Sequence, residues 1–182
     1  MTRRALDPHR LDVAAIAQQA ATLAGQWPMR ALTRLAEARQ PPQDWTPEPV
    51  DWSVRGELRP VPGDAPQVWL HLRAHAAVWL ACQRCLNPML QTLDVDRPIR
   101  FVRGEVQAEA LDAEGEDDVL ALEPSLDLQA LVEDELILAL PIVPHHDACP
   151  PESATRTADA EPEPPQAHPF AALAALKSRG HD

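Results

Sequence analysis

The chain has no tyrosine and only 2 phenylalanines, so it is poor in the large side chains that usually fill a core. Much of its 45% hydrophobic content is alanine, and 20 prolines accompany it. A good part of the chain is therefore expected to be extended or loose, with a packed core smaller than 182 residues would suggest. One domain with tails is the reading that length and composition favour.

No run of about 18 uncharged apolar residues occurs, which excludes a membrane-spanning helix by pattern. The first 30 residues lack the apolar stretch and small-residue cleavage site of a secretory signal. A cytoplasmic protein with no membrane partner is expected. Three cysteines, an odd number, argue against a secreted disulfide framework and leave metal binding, redox chemistry or plain packing. There is no phosphate loop, no glycine-rich dinucleotide turn and no Ser/His/Asp grouping with a recognisable elbow. The sequence thus supports no enzyme and no catalytic residue.

Basic residues are also missing from one long stretch. Residues 104–140 carry twelve Asp or Glu and no Lys or Arg, a charge equal to the whole formal net of −12. Such a surface repels phosphate backbones and suits a basic protein partner.

What is present falls into an order. Arg10 to Arg39 reads as one or two helices, with Leu11, Ala14, Ala15, Leu32 and Leu35 at helical spacing and Gly25 and Trp27-Pro28 as the interruption. Residues 40–66 hold seven prolines and read as a linker or an edge. From Gln67 to Cys82 the pattern turns to period two. Val68, Leu70, Leu72, Val78 and Leu80 lie on one face, and Trp69, His71, Arg73, His75 and Trp79 on the other. Met89 to Asp96 alternates again and Pro98 to Val102 resumes an apolar run, so an antiparallel hairpin is predicted with Cys82-Gln83-Arg84-Cys85 at its tip. Glu105 to Asp118 reads as a solvated loop. Leu126 to Leu138 reads as a one-faced acidic helix that Ser125 or Asp127 can cap and Pro141 ends. The expected class is α+β: N-terminal helices in 1–40, an antiparallel β-meander and acidic amphipathic helix in the 41–149 core, and a loose proline-rich tail in 150–182 with a short helix through Phe170.

Two groups could carry chemistry. A C-x-x-C turn presents both sulfurs to one centre, and His146-Asp147-Ala148-Cys149 offers a second pair, giving a candidate Cys82, Cys85, His146, Cys149 zinc site with His145 as a spare ligand. The halves lie about 60 residues apart, so the long helix must deliver the second beside the hairpin tip. Thioredoxin-like redox chemistry would need the pair at a helix start. Two small apolar side chains in a turn, with no ligand, also satisfy the pattern. The second group is the row Trp69, His71, Arg73 and Trp79, which could stack on RNA bases or be a half-exposed amphipathic sheet face. Glu133, Asp134 and Glu135 point in different directions around a helix and read as a solvated acidic face, a candidate contact for a basic partner, rather than as an acid and base pair.

Taken in order, these motifs resemble the YceD family. The likeness runs from Leu6-Asp7-Pro8 and Arg34-Leu35, through Cys82-Gln83-Arg84-Cys85-Leu86, to the stretch Leu131 to Pro144, and ends in Pro169-Phe170-Ala171 through Lys177. The resemblance implies a role in the synthesis, processing or stability of 23S rRNA and in production of the large ribosomal subunit, with no catalytic residues to carry over. His168 stands where relatives often have Asn, and the 40–66 segment is unusually proline-rich. Two roles remain open: an acidic adaptor for a basic large-subunit ribosomal protein or rRNA-processing factor, with Glu133, Asp134, Glu135 and Phe170 among its contacts, or a direct RNA-binding module using Trp69, His71, Arg73 and Trp79.

Overall fold

Alternating side chains organise the molecule around one sheet. The computed structural model describes residues 7–149; residues through His146 belong to one compact unit and a second begins at Asp147. In chain order the described elements are α1 (Val13–Gln18), β1 (Thr22–Trp27), α2 (Thr33–Glu37), β2 (Val50–Arg59), β3 (Gln67–Ala81), β4 (Pro88–Val102), α3 (Glu105–Glu114), β5 (Asp118–Ala121) and α4 (Leu128–Leu138). The strands form one sheet in the order β1-β2-β3-β4-β5. The first four pair antiparallel as a meander, and β5 adds parallel to the end of β4.

The α+β class and the C-x-x-C hairpin expected from the sequence are present. Along β3, Leu70, Leu72, Ala74, Ala76, Val78 and Leu80 are buried, and this face joins Val50, Trp52, Val54, Leu93, Val95, Ile99 and Phe101 in the core. Leu128, Leu131, Val132 and Leu136 of α4 complete it. Asp127 is the cap of α4, accepting from the backbone N–H groups of Gln129 and Ala130. Asp12 does the same for α1 through Ala15 N–H. Because α1 lies against Gly56, a Cβ placed there would come within 2.5 Å of the backbone of Ile16 and Ala17. The start of the described chain is tied to the segment that leads into α4 by reciprocal backbone bonds between Leu11 and Leu126.

Three stretches differ from the reading of the sequence. Residues 22–27, inside the segment expected to be helical, form the edge strand β1. Its Gly25 is covered by Trp52, whose ring stacks on Trp27 with centroids 4.5 Å apart. Residues 50–59, inside the proline-rich linker, form an interior strand. Pro49 and Pro60 stand just outside it, so no ladder donor is lost. Residues 105–114 are the helix α3 rather than a loop; only Ala108 of it is buried, which leaves no apolar stripe for a pattern to show. Phe170 and the tail helix lie outside the described residues. No described helix is long and apolar enough to cross a membrane.

Candidate metal centre

The hairpin tip is built by β3 and β4 reaching past β2. Their pairing continues one step beyond the strands, with Cys82 N–H donating to Asn87 C=O at 3.0 Å. Leu86 N–H then returns to Cys82 C=O at 2.8 Å, and Leu86 itself takes a left-handed φ of 60°. This tight loop turns Cys82 and Cys85 toward the same side.

The segment after α4 arrives beside that loop. Pro141 halts the helix, and Pro144 C=O accepts Gln83 N–H at 2.8 Å. Next, His146 N–H points at Cys82 Sγ (3.5 Å) and His146 Nδ1 lies 3.4 Å from Cys85 Sγ. Within the first unit, Cys82, Cys85 and His146 each offer one ligand atom, and these atoms all lie within 4.8 Å of one another. His145, the spare, instead aims Nδ1 at the carbonyl of His146, 3.3 Å away.

Cys82 is fully buried, whereas Cys85, His146 and Cys149 are half-buried. Burial by itself pushes the Cys82 thiol up. Backbone donors from His146, Cys85 and Arg84, with the Cys85 side chain, more than reverse this and bring it down to about 5. The sulfur is thus held in the form that ligates metals. Tetrahedral coordination with a Zn–S bond of about 2.3 Å would put ligand atoms about 3.7 Å apart, so a bound ion would draw the more widely spaced of them together by about 1 Å.

The other residues singled out by sequence have definite places. Glu133 is 7% exposed and accepts from Arg34 N–H (2.7 Å), Leu35 N–H (3.2 Å), and Nε and Nη2 of Arg34 (both 3.1 Å). Asp134 takes Nη1 of Arg34, and Glu135 takes Nε of Arg97 at 3.2 Å. Arg34 is held above its ordinary pKa, chiefly by Asp134 and then by Glu133. On the sheet, Trp69 is buried beneath the guanidinium of Arg59, 3.8 Å from the ring centroid. His71 pairs with Glu57, Arg73 with Asp96 and His75 with Asp94. Trp79 meets the edge of Trp45. Sequence reasoning missed Arg34 as the partner of Glu133, and missed Asp94, Asp96 and Glu57 as partners of the β3 cations. Strand register decides the sheet pairings and the packing of α2 on α4 decides the other, and no local pattern reveals either.

Comparison with known proteins agrees with the motif order. A family model described as large ribosomal RNA subunit accumulation protein YceD matches residues 70–177, which include all four candidate ligands and the α4 carboxylates. A protein of that name from Haemophilus influenzae is 38% identical over 104 residues, 55% of this chain and 60% of that relative. The match therefore spans less than two thirds of the relative's length. No solved structure matches. On the extent of the family match, and on the Cys82 to Pro144 motifs it contains, this chain belongs to the YceD family.

Proposed function

We propose that this protein supports the accumulation of 23S rRNA and production of the large ribosomal subunit as a non-enzymatic cytoplasmic adaptor. Its partner is a basic protein, either a large-subunit ribosomal protein or an rRNA-processing factor. The observation that carries this reading is the state of the cations on the β3 face and beside α4. Arg34, Arg59, Arg73 and Arg97 each lie in an ion pair, and His71 and His75 each face a carboxylate. A phosphate backbone would have to compete with those carboxylates on a chain of net charge −12, whereas a basic protein meets an attractive field.

The cysteine loop serves this role as a structural zinc site. Cys82, Cys85, His146 and Cys149 would hold the ion, and the His146 N–H directed at Cys82 Sγ is the kind of outer contact that orients a thiolate ligand. Zinc would act there as a cross-link between the hairpin tip and the segment following α4, with no substrate to activate.

A salt titration of purified protein with 23S rRNA, read by filter binding, tests the adaptor reading. Weak binding is expected even at low salt. Tight binding that falls steeply with salt, by several units of log K per log unit, would replace it with direct RNA recognition through the Trp69, His71, Arg73 and Trp79 face.

A further inference from the structure

Strand β4 is paired with β3 along nearly its whole length, yet on its other edge only Ile99 to Val102 meets β5. Among the described residues, no backbone group pairs with that edge between Pro88 and Pro98. The direction of its polar groups follows from parity. Asn87 C=O bonds toward β3, at Cys82 N–H, while Val102 C=O bonds toward the β5 side, at Leu122 N–H. Even-numbered residues therefore turn their N–H and C=O away from β3. Pro88 and Pro98, which have no N–H to give, share that parity and bracket the stretch. Leu90, Thr92, Asp94 and Asp96 present a row of open backbone donors and acceptors. One carbonyl, that of Thr92, is held by the amide of Gln91 at 2.9 Å, a surface contact that a side-chain rotation releases.

The surroundings of this edge specify a ligand. On one face stand Asp94 and Asp96, which meet His75 and Arg73 of β3 on one side yet keep side chains 75% and 64% exposed for a further cation. Beneath the edge, a groove of about 220 Å³ runs between Asp94 to Arg97 and the last turn of α4, lined by Glu135, Leu138 and Ala139. Leu138 is 71% exposed and Leu90 51% exposed. A strand laid here alternates between a carboxylate row and a groove of mixed character, in which Leu138 and Ala139 stand beside Arg97 and Glu135. A second copy of the chain would bring carboxylates opposite carboxylates, which disfavours self-pairing.

We propose that the Leu90 to Asp96 edge of β4 takes up an extended segment of a basic protein as an added strand. Lys or Arg side chains lie over Asp94 and Asp96, and an apolar side chain between them enters the groove at Leu138. This rests on the basic partner proposed above and names where that partner binds.

The test uses the full chain and a synthetic ten-residue peptide of alternating lysine and valine, with a twin N-methylated throughout. Amide exchange followed by NMR should slow by about tenfold or more at Leu90, Thr92, Asp94 and Asp96 with the peptide and not with the twin, which has the same charge but cannot form a ladder. Thr92→Pro should weaken the peptide by about tenfold while the protein keeps its fold, because Thr92 N–H is outside the β3 ladder. Equal binding of the twin, or of the peptide to Thr92→Pro, would overturn the edge site and leave the adaptor reading standing. No binding of either peptide also overturns it, and the adaptor is then judged by the RNA titration alone. Edge protection without peptide overturns it too: concentration-dependent protection would make a second copy the occupant, and protection lost on deleting residues 150–182 would make it the chain's own tail.

Discussion

The carboxylate of Glu133 closes on Arg34 at both ends, accepting the backbone N–H at 2.7 Å and the guanidinium at 3.1 Å across 99 residues of sequence. With Leu35 N–H also bound, one buried side chain of α4 does what a local cap would do for the start of α2, where Leu32 at the cap position has no side-chain oxygen to offer.

Glu133→Gln should therefore cost about 2–4 kcal/mol in urea unfolding, since it removes a buried charge that four donors surround. Asp134→Asn, whose side chain is half exposed, should cost less than about 1 kcal/mol. Equal effects of the two substitutions would show that the clasp is only a surface ion pair.

Metal content is the next prediction. Protein purified without chelators should carry about one equivalent of zinc by elemental analysis, and a strong chelator should lower its Tm by about 5 °C or more. Less than about 0.2 equivalents, with stability unchanged in a Cys82→Ser, Cys85→Ser double variant, would leave the cysteines as small packed side chains.

Much of the fold was legible because its signals are local. The period-two run of β3, the C-x-x-C with its second pair after Pro144, and Asp127 as a cap all follow from neighbouring residues. β2 was hidden by the prolines that bracket it. β1 was hidden by Gly25, whose missing side chain is made good by a tryptophan from another strand. α3 buries a single alanine, so its composition reads as a loop. At the site, the quartet could be proposed from spacing. The use of Glu133 could not, because its partners come from a distant helix start.

Gly56 provides a packing test. Gly56→Ala should destabilise by about 3 kcal/mol, as the new methyl meets the backbone of Ile16 and Ala17 as well as the Ile16 side chain. Thermal unfolding that matches the wild type would mean α1 shifts freely on the sheet.

Acid should act partly through Glu57, whose carboxyl is held below its ordinary value by the hydrogen bond with His71 and, secondarily, by Arg59. A depressed folded value contributes stability above the unfolded pKa and loses it as pH falls through the folded one. Stability curves of wild type and Glu57→Gln should stay separated from neutral pH down to about 4.5 and converge below it. A gap that widens on acidification would contradict the assignment.

The reciprocal bonds between Leu11 and Leu126 have a consequence for synthesis. A chain made from its N-terminus releases α1 and α2 first, yet Leu11 waits for Leu126, Arg34 for Glu133 and Cys82 for His146. The β3–β4 hairpin can form early from near neighbours, while the N-terminal helices acquire these last partners only after α4 emerges. Translation pauses before residue 126 would hold a nascent sheet with one face uncovered, so the interval before α4 appears is when the newborn chain is most exposed to aggregation.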